Sequence, residues 1–398
     1  NSSIEIENGR IKEIYEGIPS GFFAKIINLK GKFAIPGLIN SHCHLMLNGS
    51  PDMTIKGFSV YELIRNIKND SVRNIVLENM MENSREAINS GITTLVSLGD
   101  KDNIDKDLKN IIKNTDRVFP EIISSGNALL PVSGHGNILG TTCTDPMNFI
   151  EEIRNNILNE AEIIKIMVTG GVMDSKEIGE AGTLKMKPPE IRASVKEAHR
   201  QGVLVCAHVQ STPGIYEALK GGVDIIEHGA EIDDDLVLKF KNNNESLRGY
   251  SALNPTLSAS MEIMNNFKSS ESSMSQIQYK NTVIVYERIN KGLIKALENG
   301  IKISVGNDAG VPFVYHRNFW KELKYRVEKS HGLLNNKKVL HLATLNNARL
   351  FSLDNDIGSI EKGKKADLII LNENPLENLE HLKDPFMVIK DGKIADKN

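Results

Sequence analysis

The chain has 398 residues and a mass of 44.1 kDa, with 40% hydrophobic and 25% charged side chains and a formal net charge of −3. This is the balance of a water-soluble globular protein; it excludes collagen-like, disordered and coiled-coil chains, and it leaves no basic field to draw in nucleic acid or anionic lipid. No apolar run approaches the roughly 20 residues of a bilayer span, so no membrane partner is expected, and three cysteines (Cys43, Cys143, Cys206) without a CxxC spacing fit a reducing, cytoplasmic compartment.

The chain opens on Asn1 without a methionine, yet Ile4 to Ile11 already reads as a hairpin turning at Asn8-Gly9. A hairpin with an open edge predicts further residues ahead of Asn1. Eight short, β-branched apolar runs follow, at 34–44, 93–99, 118–126, 162–170, 204–210, 224–230, 250–257 and 302–310. The stretches between them are long enough for helices. Two of these, 74–90 and 190–201, space their apolar residues near 3.6, the second entered by Pro188-Pro189. Eight strand–helix units predict an α/β fold, a (β/α)8 TIM barrel over residues 36–354. The flanks read as β instead: 358–363, 366–371, and 387–394 around Asp391-Gly392. Two β ends bracketing a barrel predict one small β-sandwich domain composed of residues 1–35 and 355–398. The long polar stretches 173–187 and 241–281 are candidates for lids at the barrel mouth or for surface loops.

A barrel of this kind carries its reactive groups at the carboxyl ends of its strands. His42 and His44, two apart on the first run, point to one face and reach a single metal ion together. His208, His228 and Asp308 end the fifth, sixth and eighth runs, and together the set predicts a metal centre. Lys165 stands inside an otherwise apolar strand, where an unpaired ammonium is costly. Two resolutions stay open: an amine paired with Asp308 or another carboxylate, or a neutral amine that adds carbon dioxide to form a carbamate bridging two metals.

With Pro36-Gly37-Leu38-Ile39-Asn40-Ser41-His42-Cys43-His44, Lys165, His208, His228 and Asp308 in this order, the chain resembles the amidohydrolase superfamily. Gly358-Ser359-Ile360-Glu361-Lys362-Gly363 and the residues through Leu368 resemble its closing strands. The resemblance implies two divalent ions, zinc first among them. His42, His44 and Asp308 would hold one, His208 and His228 the other, and carboxylated Lys165 would bridge them. Gly91-Ile92-Thr93-Thr94, Ser133-Gly134-His135-Gly136, Pro255-Thr256-Leu257 and the run from His316 to Leu323 are similar to the prolidase-like, imidazolonepropionase-like branch, which includes Xaa-Pro dipeptidases and carboxypeptidases. That similarity implies His135 as a catalytic pocket residue on the substrate carbonyl or tetrahedral intermediate. Where many relatives carry Arg-Asp after Thr-Thr-x, this chain has Val96-Ser97.

The implied function is metal-dependent hydrolysis of the amide C–N bond of a small dipeptide or N-acyl amino acid by a metal-bridging hydroxide. Asp308 would take the proton of the water and pass it to the leaving nitrogen. Two alternatives share much of the ligand set: a cyclic amidohydrolase or deaminase of imidazolonepropionase type, against which Lys165 counts, and a lactone or phosphotriester hydrolase. The complete set argues against a non-catalytic binding barrel. Arg192, Arg317 and Tyr250 are candidates for a substrate carboxylate, His199 reads as a packing residue, and His316 as a group behind the site. A barrel of this size is also compatible with a homo-oligomer.

Overall fold

A computed structural model describes residues 2–21, 25–268 and 274–396. Eight parallel strands line the centre: Leu38–Cys43, Ile92–Ser97, Glu121–Ser124, Ile163–Met167, Leu204–Val209, Ile225–His228, Ala252–Asn254 and Lys302–Ile303. Each overlaps one expected run. The ring closes between its last and first members, where Ser41 N–H donates to Val305 O and Asp308 N–H donates to His42 O, both at 3.0 Å. It is joined between third and fourth by Glu162 N–H to Ser124 O at 2.9 Å.

Strand alternation sorts the side chains. Ile164, Ile166, Val205, Ala207 and Val209 point outward and pack with Ile191, Val195 and Ala198 of the helix Pro188–Arg200 and Ile215 and Ala218 of Thr212–Lys220. Ile163, Leu204, Cys206, Ile225 and Ala252 form an apolar plug in the interior. By the same period of two, Lys165, His208, Glu227 and Asn254 face inward above that plug, at the carboxyl end.

Several elements depart from the expectation. Two short strands, Ala128–Pro131 and Gly140–Cys143, extend the sheet beside the fourth barrel strand and carry the His135 turn between them. The stretch 241–281 contains a helix, Leu257–Asn266, whose first amides Leu257 N–H and Ser258 N–H donate to the carboxylate of Glu322 at 3.2 and 2.7 Å. Residues 269–273 of that stretch lie outside the described residues. The stretch 173–187 holds only a short 3-10 turn, Val172–Asp174, and a bridge from Thr169 to Leu184.

The two chain ends meet. Phe33–Pro36 pairs antiparallel with Leu368–Leu371, which pairs with Met387–Lys390 and, through it, Lys393–Ile394. The amino-terminal hairpin, Ser2–Glu7 with Arg10–Glu16, turns at Asn8 (φ 52°) and Gly9 (φ 78°) as the Asn-Gly pair predicts. Its Ile4 and Ile6 pack on Leu368, Ile370 and Ile389. Residues 358–363 form turns and bends, and no strand is found there among the described residues; Gly363 N–H donates to Ile11 O of the amino-terminal hairpin at 2.8 Å. No helix among the described residues is long and apolar enough to cross a membrane.

Candidate metal centre and active site

The inward-facing strand ends converge on Asp308. His42 Nε2 lies 3.3 Å and His44 Nε2 3.1 Å from its Oδ1, and His228 Nδ1 lies 4.0 Å from its Oδ2. His208 meets His228 edge-on with ring centroids 4.6 Å apart, and His135 lies tilted against His208 at 4.4 Å. All six of the expected ligands are buried, Lys165 and His42 completely.

Electrostatics prepares these groups to act as ligands. Burial pushes His44 below the usual histidine range, and pushes His208 and His228 well below it. Burial thus favours the neutral form of each imidazole, the form that offers a lone pair to a cation. Burial works upward on Asp308, but the surrounding rings of His42, His44 and His228 outweigh it and hold the carboxylate well below its normal range. Burial also lowers the amine of Lys165, which faces Glu227, Cys206 and Asp308. Among the described residues that amine makes no ion pair, and Asp308 is taken up by imidazoles instead.

The donor set fits a cation. His42 donates through Nδ1 to Glu227 Oε2 at 2.7 Å, so its Nε2 lone pair is the one that faces Asp308 Oδ1. The buried His42 Nε2 has no hydrogen-bond partner. Two lone pairs aimed at each other in a dry interior are repulsive unless a positive centre lies between them. His208 Nε2 leans toward Gly170 O at 3.4 Å and His228 Nδ1 shares a bond with Thr256 Oγ1 at 2.6 Å, which leaves the opposite ring nitrogen of each free.

Backbone geometry at the centre is forced. His228 and Asp308, both non-glycine, sit at φ 65° and 61°, a region that costs about 1–3 kcal/mol for such residues. Gly306 lets the eighth strand run against the first: a Cβ there would stand 2.4 Å from His42 N.

A cavity of about 310 Å³ opens over the centre. Leu47, Met53, Met167, Ile263, Ile289 and Val311 give it an apolar wall, with Gln210, Ser260 and Thr282 among its polar groups. His135 enters this cavity on the turn after Ala128–Pro131. Its Nδ1 is 2.5 Å from Asp174 Oδ2, which also accepts Gly136 N–H at 2.9 Å. Arg192, Arg317 and Tyr250 do not line it. Arg192 lies in an outer groove with Lys220 and Lys239, Arg317 pairs with Glu86, and Tyr250 packs on the apolar plug. Helix and strand geometry turns each of them away from the mouth. His199 pairs with Asp224 at 2.7 Å outside the barrel, and His316 sits behind the site, donating Nε2–H to Leu47 O at 2.9 Å.

Asp174 and Glu227 contact candidate site histidines and are absent from the sequence-derived set. Glu227 carries the same signal as Lys165, an ionisable side chain facing inward on an apolar strand.

The model of the Amidohydrolase family matches residues 33–395. Among solved structures, a candidate prolidase from Bifidobacterium longum superposes with a TM-score of 0.83 at 33% identity, covering 98% of this chain and 87% of that one. A Xaa-Pro dipeptidase with methionine bound in its active site gives 0.85 at 28% identity, covering 99% and 95%. Ochratoxinase of Aspergillus niger is 26% identical over 308 residues, which are 70% of this chain and only 60% of the length of that protein.

Proposed function

Because the chain belongs to the amidohydrolase family, we propose that it is a metal-dependent hydrolase of the amide bond in a small dipeptide or N-acyl amino acid. The observation that carries this reading is the buried, partnerless His42 Nε2 facing the Asp308 carboxylate beneath a cavity of substrate size. In this reading residues 36–354 are the catalytic barrel, and residues 1–35 with 355–398 are a β-sandwich domain. His42, His44 and Asp308 would hold one divalent ion, zinc foremost, and His208 and His228 a second. Lys165, its neutral amine favoured by burial, would add carbon dioxide with loss of a proton, and the resulting carbamate would be a further ligand. Bound divalent ions supply Lewis acidity, acidifying water so that hydroxide is available near neutral pH and polarising the scissile carbonyl.

The chain's own groups do the rest. Asp308, ionised and at the meeting point of the ligands, accepts a proton from the attacking water and returns it to the leaving nitrogen. His135 steadies the oxygen that gains charge. Its ring is held in place through Nδ1 by the Asp174 carboxylate, which leaves Nε2 to face the cavity. The apolar wall suits an aliphatic or aromatic acyl group or side chain and excludes bulk water from the reacting centre.

The test is the number of metal ions per chain by mass spectrometry, for the parent and for Lys165→Ala. The expected result is close to two, falling sharply in the variant, with hydrolysis then found in a library of dipeptides and N-acyl amino acids. A single ion that survives the substitution would make Lys165 structural and turn attention to cyclic amides and deamination.

A further inference from the structure

We propose that Glu227 is a positioning residue that dictates which nitrogen of His42 is offered to the metal. The inference rests on the metal reading above but is argued from a hydrogen-bond chain whose polarity can be worked out end to end.

The chain starts at two groups that can only donate. Gly306 N–H and the guanidinium of Arg326 both reach Asn254 Oδ1, each at 2.9 Å. Asn254 must therefore present its oxygen to them and its amide NH2 to the other side. There the NH2 meets Glu227 Oε2 at 2.7 Å. Oε2 is thereby an acceptor, and the remaining bond it makes, to His42 Nδ1 at 2.7 Å, is accepted as well. The form of an imidazole that can ligate a metal has one proton. It is drawn to Nδ1, and Nε2 is left as a lone pair facing Asp308.

The anchor at the far end is rigid. Arg326 is fully buried on the helix Phe319–Lys329; its other bonds go to Glu322 at 2.7 Å, Ser304 O at 2.6 Å and Pro255 O at 2.9 Å. A helix outside the barrel thus sets the proton position on a first-strand histidine through the sixth and seventh strands. Glu227 is completely buried, out of reach of bulk solvent.

The experiment compares the parent, Glu227→Gln and Glu227→Ala. Zinc affinity is measured on metal-free protein by competition with a chromogenic chelator, and the tautomer of His42 is read from imidazole 15N shifts, assigned by the signals lost in His42→Gln. Glu227→Ala is expected to weaken zinc binding by about 10–100-fold and to convert His42 to a mixture of tautomers. Glu227→Gln keeps the volume and an acceptor oxygen; it is expected to fold, to retain the Nδ1–H form and to lose less affinity. Unchanged affinity with an unchanged tautomer in Glu227→Ala would overturn the proposal, as would a tautomer mixture in the parent. Should Glu227→Ala not fold, Asn254→Asp, which sets a second acceptor against Glu227, must shift the tautomer instead. If the parent takes up no zinc, the metal reading fails separately, and the metal-free 15N shifts alone decide the role of Glu227.

Discussion

Asp308 is the residue on which the proposed chemistry turns, since the proposal makes it both a ligand and the proton carrier. Asp308→Asn keeps the size and one oxygen but cannot accept a proton. It is expected to retain bound metal and lower kcat by about 10²–10⁴-fold; near-normal turnover beside full metal content would remove Asp308 from the proton path. A second residue, Asp100, records how this chain has dealt with Val96-Ser97. Ser97 Oγ meets Asp100 Oδ2 at 2.5 Å, so a carboxylate three positions on stands against the serine. Burial, with Asp105 alongside, pushes the Asp100 carboxyl up to about 7. The unfolded group titrates near 4. Its contribution to stability is therefore present below about pH 4 and is lost as the pH rises through 7. Asp100→Asn, which never ionises, should gain on the parent in urea midpoint between pH 5 and pH 8; a constant difference across that range would contradict this. At this scale the sequence was most readable. His42, His44, His208, His228 and Asp308 follow from position at strand ends alone. Asp174 carries no comparable signal, because it meets His135 only through the fold, 39 residues away.

At the scale of elements, the loops set the site as much as the strands do. The turn holding His135 approaches Gly171 so closely that a Cβ there would lie 2.5 Å from the imidazole Cε1. Gly171→Ala should push the ring off Asp174 and lower kcat/KM by about 10²-fold, the loss expected for a displacement near 1 Å, while metal content stays constant; equal loss of metal would show damage spreading to the centre. The helix Leu257–Asn266 also explains a limit of reading from sequence. It has no side-chain cap of its own, and its free amides are met by Glu322 from another helix, an anion at a helix amino end. Polar Ser and Asn residues with no local start signal look like loop until that partner is supplied by tertiary structure. The short strands Ala128–Pro131 and Gly140–Cys143 were hidden for a similar reason: each is four residues long and stands only by pairing with its neighbours. The eight barrel strands were plain because burial on both faces makes them continuous apolar runs.

For the whole molecule, the end unit and the barrel share one core. Ile369, fully buried on the strand Leu368–Leu371, belongs to the same apolar cluster as Leu38, Ile92 and Val305 of the barrel. Its Cδ1 would lie 2.7 Å from a Cβ at Gly91. Ile369→Ala should cost about 2–5 kcal/mol and lower the temperature of a single calorimetric transition; a separate low-temperature melt of the end unit would show that the two parts are independent. The pairing of Phe33–Pro36 with Leu368–Leu371 also bears on how the protein is made. The first of these strands leaves the ribosome early, and its partner follows roughly 330 residues later. At about 5–20 residues per second, its backbone edge waits on the order of 20–60 s for a mate. During that interval it is a bare template for other nascent chains, so the yield of native protein should depend on translation speed and on chaperones that shield strand edges.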